Sequence, residues 1–276
     1  MKSLRFALLL TLFVFLGLPG AGQNPGQGTT LAQSGKVRVL FIGNSYTYFN
    51  NLPQLVAGLA ASANPQRRME TEMVTVGGAT LKSLWEGGRA IEAIKRGGWN
   101  YVVLQEQSTL GVAPVVDGIP QIADPKAFHE SARLFDAEIK KAGAKTIFYL
   151  TWARQNAPEK QALLTEAYQK IAKELNATLA PVGVAWENAL KENPRLTLHI
   201  QDKSHPTPMG SYLAACVFYA TIYGKSPVGL SAHITGAVVD QMGKVIGAQG
   251  ELVNLSKDNA ALLQKITWET VRKLRS

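Results

Sequence analysis

Short, β-branched apolar runs alternate along this chain with longer segments whose apolar residues recur every three or four positions. Residues 37–42 (VRVLFI) are a run of the first kind and predict a buried parallel strand. Asn51-Leu52-Pro53 then opens a helix that carries Leu55, Val56, Leu59 and Ala60 on one face. A second strand over 70–76 ends at Gly77-Gly78, and a helix over 80–95 follows, with Leu81, Leu84, Ile91 and Ile94. Residues 101–104 predict a third strand. Residues 126–142 predict a helix, with Phe128, Ala132, Phe135, Ile139 and Ala142 in alternating steps of four and three and Gly143 as its stop. Residues 145–150 and 178–182 predict a fourth and a fifth strand, separated by a helix over 159–175. Later helices are expected from Trp186 to just before Pro194, over 209–223 and over 255–274.

Strands that alternate with helices specify an α/β class protein: a five-stranded parallel sheet with helices on both faces and right-handed crossovers. Such sheets bind ligands outside the carboxyl ends of their strands. The chemistry should therefore sit just after the first four strands.

The first 18 residues do not fit this alternation. Lys2 and Arg5 precede 13 uncharged residues, 6–18, which is shorter than the roughly 20 apolar residues of a bilayer span. This predicts a secretory signal peptide over 1–22, cleaved among small residues. Residues 23–35, rich in Gly, Gln, Thr and Ser, predict a flexible linker. The domain is expected over 36–276, exported to a periplasm or secreted, with no stable membrane insertion after processing.

Composition changes little in this picture. The chain has 276 residues, 46% of them hydrophobic, which is ordinary for a globular domain. Its net charge of +9 invites a nucleic-acid partner. The cations are scattered, with no run longer than Arg67-Arg68 or Lys140-Lys141, so no nucleic-acid partner is expected. A single cysteine, Cys216, excludes an internal disulfide and a cysteine-based metal site. Its apolar surroundings in the sequence make it a core residue. None of the four histidines lies in a HExxH spacing, so no metal or other cofactor is expected. Oligomeric state is left open.

The residues following the predicted strands carry the chemistry. After the first comes Gly43-Asn44-Ser45, after the second Gly77-Gly78-Ala79-Thr80, after the third Gln105-Glu106-Gln107-Ser108 and after the fourth Thr151-Trp152-Ala153-Arg154. Asp202-Lys203-Ser204-His205-Pro206 follows late in the chain. A serine is a poor nucleophile until an imidazole takes its proton, and the imidazole needs a carboxylate to fix its tautomer. The oxyanion of an acyl transfer needs hydrogen-bond donors, which a backbone N–H beside a glycine or a side-chain amide supplies. Neither a GxSxG elbow nor a GxxxxGK[ST] phosphate loop is present.

These segments, in this order, resemble the SGNH/GDSL hydrolase superfamily over roughly residues 36–225. Gly43-Asn44-Ser45 resembles its first block, Gly78 its second, and Gln105-Glu106-Gln107 stands where the third, Gly-x-Asn, belongs. Asp202-x-x-His205-Pro206 resembles the last. The resemblance implies a three-layer flavodoxin-like fold, with Ser45 as nucleophile, His205 as general base and Asp202 as its orienter. The N–H groups of Ser45 and Gly78, with Gln107, would form the oxyanion hole. Two positions depart from the family pattern: Asn44 replaces an Asp and Gln107 an Asn, so Gln105 is an alternative donor. Gln105, Trp152 and Arg154 are candidate substrate contacts, and Glu106 is expected to be a structural hydrogen-bond acceptor. The implied activity is an esterase acting on a small-molecule or polysaccharide ester, with short acyl groups on carbohydrate favoured. A non-catalytic glycan-binding or cell-envelope module and an acyltransferase with the same triad are the alternatives.

Overall fold

The computed structural model describes residues 36–64 and 68–275. The expected signal peptide and linker lie outside the described residues. In chain order the strands are β1 (Val37–Gly43), β2 (Met69–Thr75), β3 (Tyr101–Leu104), β4 (Val115–Val116), β5 (Ile119–Pro120), β6 (Lys145–Tyr149), β7 (Thr178–Ala180), β8 (His233–Val239) and β9 (Val245–Asn254). The α-helices are α1 (Ser45–Tyr48), α2 (Leu52–Ala63), α3 (Leu81–Glu86), α4 (Arg89–Lys95), α5 (Lys126–Lys141), α6 (Gln161–Glu174), α7 (Val182–Glu192), α8 (Pro208–Tyr223) and α9 (Lys257–Arg275).

Five strands form one parallel sheet in the order β2-β1-β3-β6-β7. This is the flavodoxin-like arrangement expected from the alternation of elements. The pleat of β1 explains why its run is apolar throughout. Val39 and Phe41 face one layer, built with α2, α7, α8 and α9, and Leu40 and Ile42 face the other, built with α3, α4, α5 and α6. All four side chains are fully buried, so β1 is the hinge of both cores. Helix α8 runs through the first core with Gly210–Thr221 buried on all sides, which is why it shows no amphipathic stripe. Pro208 at its start, the Thr207 side chain accepting from the Gly210 N–H, and Gly224 in the left-handed conformation at its end define its bounds.

The structure corrects three readings of the sequence. The helix expected over 80–95 is two helices, α3 and α4, broken at Gly87-Gly88, where Gly88 has φ +76°. Two adjacent glycines outweigh the apolar periodicity that spans them. The helix expected from Trp186 begins four residues earlier, at Val182, immediately after Pro181. Two antiparallel hairpins, β4–β5 and β8–β9, were not anticipated. The first turns at Asp117-Gly118, both with positive φ, a turn signal readable in the sequence. The second leads away from the sheet and returns to pack on α2 through Ile234. Among the described residues no helix is long and apolar enough to cross a membrane.

Candidate active site

The first loop places Ser45 by a set of hydrogen bonds around Asn44 and Gln105. Asn44, 2% exposed, accepts from the Tyr46 N–H (3.1 Å) and from Gln105 Nε2 (2.9 Å), and its own Nδ2 donates to the Ala79 carbonyl (2.9 Å). That last bond accounts for the asparagine. A carboxylate has no proton to donate to a carbonyl, so Asn44 ties the first loop to the second in a way Asp could not. Gln105 Oε1 accepts from the Asn44 N–H and from Thr47 Oγ1, both at 2.9 Å. A Cβ on Gly43 would stand 2.4 Å from that oxygen, so only glycine fits at the end of β1.

Ser45 Oγ lies 2.8 Å from His205 Nε2, and His205 Nδ1 lies 2.5 Å from Asp202 Oδ2. A carboxylate accepts only, so His205 carries its proton on Nδ1 and presents Nε2 as acceptor to the serine hydroxyl. The other carboxylate oxygen of Asp202 accepts from the Ser204 and His205 N–H groups, both at 2.9 Å. Burial pushes the Asp202 carboxyl up, but the hydrogen bonds from the His205 ring and from these N–H groups outweigh it, so it titrates below its ordinary value. The loop that carries both residues needs Lys203 at φ +61° and is anchored by N–H bonds from Ile200 to the His205 carbonyl and from Thr207 to the Leu198 carbonyl.

Aromatic side chains frame the imidazole. Phe49 stacks on it at 4.3 Å between ring centroids, and Tyr46 meets it edge-on at 5.6 Å. Tyr46 hydrogen-bonds Ser204 Oγ at 2.8 Å, and burial raises its hydroxyl above the ordinary range. Asn50, itself at φ +53°, donates to the Pro206 carbonyl and to Ser211 Oγ, which fixes the segment after His205 against the start of α2. Phe49 and Asn50 went unnoticed in the sequence because neither residue type in a loop signals a role. Their proximity to Ser45 in the chain was the only pointer.

The expected donors line one cavity of about 530 Å³, together with Ser45 and His205. Ser45 opens α1, so its N–H has no acceptor within that helix. Gly78, at φ +68°, makes no hydrogen bond through its N–H among the described residues. Gln107 Oε1 accepts from the N–H and the hydroxyl of Thr109, at 2.6 and 2.7 Å, which leaves Nε2 as the unengaged end of the amide. The extra methylene that distinguishes Gln from Asn is thus folded back onto Thr109. Ser108, Arg154, Gln201 and Gln241 also line the cavity.

Two expected substrate contacts are not found there. Gln105 is fully buried, and both ends of its amide are taken by Asn44, Thr47 and the Glu106 carbonyl. It holds the Ser45 loop from below, and its amide has no free donor to offer as the alternative to Gln107. Trp152 is 1% exposed and lies between Tyr46 and Trp186, at 4.4 and 4.0 Å, with its indole N–H on the Ser204 carbonyl. An aromatic ring at a strand end was packed into the core because two flat rings covered both its faces. Arg154 does line the cavity. Among the described residues no group of three His, Cys, Asp or Glu side chains could hold a metal ion.

Glu106 joins the second and third loops. It is 1% exposed, and its two oxygens accept from the Leu81 N–H (3.1 Å) and the Gln107 N–H (2.6 Å). Burial pushes its carboxyl up, the two hydrogen bonds pull it back, and it comes to rest at about 7. Because its folded value lies above the ordinary 4.5, the stability it contributes is fully present below pH 4.5 and is lost as pH rises through 7. That loss amounts to about 2–3 kcal/mol between pH 5 and pH 8. Urea unfolding of wild type and Glu106→Gln at both pH values checks it. The difference between the two pH values should shrink by this amount in the variant, while an unchanged difference would remove Glu106 from the account.

No protein-family profile matches the chain, and no curated protein matches it. Solved structures do. A candidate SGNH hydrolase from Slackia heliotrinireducens aligns at 25% identity and a TM-score of 0.55, over 68% of this chain and 100% of its own. A DUF4886 family protein from Bacteroides uniformis aligns at 14% identity and a TM-score of 0.65, over 88% of this chain and 97% of its own. The acetyl xylan esterase AlAXEase aligns at 16% identity and a TM-score of 0.54, over 67% of this chain and 100% of its own. With the 2-1-3-6-7 parallel sheet and the site segments in family order at the strand ends, the chain is similar in fold and in the order of these segments to the SGNH/GDSL hydrolase superfamily.

Proposed function

We propose that the protein is an exported serine esterase that removes short acyl groups, acetyl foremost, from carbohydrate or other small esters. The observation that carries this reading is the continuous relay Ser45–His205–Asp202, with contacts of 2.8 and 2.5 Å, opening into a cavity lined by unengaged donors. In the proposed reaction Ser45 Oγ attacks the ester carbonyl while its proton passes to His205 Nε2. Asp202 holds the Nδ1 proton and stabilises the imidazolium that results. The Ser45 and Gly78 N–H groups and Gln107 Nε2 receive the oxyanion. His205 then gives its proton to the departing alcohol. A water molecule, deprotonated by the same nitrogen, attacks the acyl-enzyme and releases the acid.

The cavity supports the substrate class. Its volume lies within the range of small-molecule sites. Four amide side chains and the aromatic rings of Tyr46, Tyr48 and Phe49 line it, rather than a long aliphatic channel. Such a lining suits a sugar, whose hydroxyls take hydrogen bonds and whose C–H faces stack on aromatic rings, better than a long acyl chain. The names of two structural neighbours, an acetyl xylan esterase and an acetyl-xylooligosaccharide esterase, point the same way.

A fluorophosphonate probe, combined with a hydrolysis screen across acyl lengths and acetylated sugars, tests the proposal. The expected result is a stoichiometric adduct on Ser45 and turnover that is highest with acetyl esters. Absence of an adduct would favour a glycan-binding module on the same fold.

A further inference from the structure

Arg154 stands in the wall of the catalytic cavity without a counter-charge. It forms no ion pair among the described residues, although ten such pairs occur elsewhere in the molecule. Among the described residues its guanidinium makes one hydrogen bond, from Nη2 to Ser108 Oγ at 3.3 Å. Its Nε is enclosed with no acceptor. A guanidinium has five donors, so most of this group's capacity is unused. Three acids line its two cavities: Asp202 is committed to His205, Glu187 to Lys191 at 2.9 Å, and the exposed Glu159 forms no ion pair with Arg154. Arg154 also lines a second cavity, of about 310 Å³, beside Trp186 and Leu190, so it stands at the junction of the two.

A half-buried charge with unfilled donors is unfavourable unless something completes it. We propose that a substrate carboxylate does so, and that the enzyme acts on acyl esters of acidic sugars, in which a uronate carboxylate lies near the acylated hydroxyl. This inference rests on the esterase reading of the same site. The planar edge of a guanidinium pairs with a carboxylate through two parallel hydrogen bonds, which fixes orientation as well as charge. One unpaired cation neutralises one negative charge. A phosphate dianion would leave a surplus charge in a cavity that already holds Asp202.

The test is the ratio of kcat/KM for acetylated glucuronic acid to kcat/KM for acetylated glucose. The wild-type ratio should favour the uronate by roughly tenfold or more, the scale of a hydrogen bond to a charged group. Arg154→Gln should lower that ratio roughly ten- to hundredfold, mainly through KM, and Arg154→Lys should keep part of it, as a point charge without the fork. A ratio of one in wild type, or a ratio unchanged in Arg154→Gln, overturns the proposal and leaves the esterase reading standing. Inhibition by inorganic phosphate at concentrations where acetate has no effect would also overturn it, by assigning Arg154 to a phosphate. If wild type hydrolyses neither ester, the esterase reading fails. Calorimetric binding of free glucuronate against glucose, in wild type and Arg154→Gln, then decides the role of Arg154 on its own: selective binding lost in the variant sustains it, and equal binding ends it.

Discussion

Replacing Ser45 by alanine should lower kcat for p-nitrophenyl acetate by roughly 10³-fold or more, with the folded state retained. Among the described residues the hydroxyl is the one hydrogen-bond partner of His205 Nε2, and its loss leaves the relay with no atom to activate. A residual rate above that in water is expected, because the Gly78 N–H and Gln107 would still receive an oxyanion when water attacks directly. Asp202→Asn should fall in the same range for a different reason. An asparagine amide can offer its NH₂ to Nδ1 and so stabilise the tautomer with the proton on Nε2, which cannot accept from serine. In the proposed mechanism Ser45, His205 and Asp202 form one relay, so the double variant Ser45→Ala/Asp202→Asn should lose little beyond the single change. Undiminished turnover by Ser45→Ala would sink the nucleophile assignment, and additive losses would mean that the three side chains do not act together.

Trp152→Ala should destabilise the fold by about 3–5 kcal/mol, the range for deleting a large buried aromatic side chain. Three flat rings, Tyr46, Trp152 and Trp186, stack within 10° of parallel between neighbours. Removing the middle one leaves two faces without partners and a void that neither loop can fill. The effect reaches the site because the indole N–H holds the Ser204 carbonyl at 2.9 Å, one residue before His205, and Tyr46 holds Ser204 Oγ. Trp152→Phe keeps a stacked ring and loses that hydrogen bond, so it should cost less stability and still lower kcat. Urea unfolding midpoints, read beside kcat for the two variants, separate the contributions. A Phe variant with wild-type kcat would confine Trp152 to packing.

The parallel sheet was legible because its strands are marked twice over. Residues of β1 are apolar on both faces, a pattern that only a strand between two helical layers requires, and glycines close the first two strands, Gly43 at the end of β1 and Gly77-Gly78 just past β2. The failures have the same origin in reverse. Leu81, Leu84, Ile91 and Ile94 keep helical spacing across Gly87-Gly88, so periodicity alone hid the break. The β8–β9 hairpin has a weak pattern because much of it is exposed and only a few residues, Ile234, Leu252 and Val253 among them, enter the core.

At the site, the residue types and their order along the chain were enough to name Ser45, Asp202 and His205 as candidates, since the last two lie within one turn and the first follows a strand. Linear order could not say which of the polar residues after β3 faces the cavity. Gln105, Glu106 and Gln107 are adjacent and chemically similar, yet one holds the Ser45 loop, one clamps two loops from the protein interior and one lines the cavity. Trp152 and Arg154 divide in the same way, one buried in a stack and the other left at the cavity wall.

The sequence by itself determined the architecture and the chemical repertoire: hydrophobic period is a local property, and it chooses between strand and helix before any long-range contact forms. Tertiary structure alone decided the roles, because whether an amide, a ring or a guanidinium is satisfied depends on partners that are up to 186 residues away in the chain and within 3 Å in space.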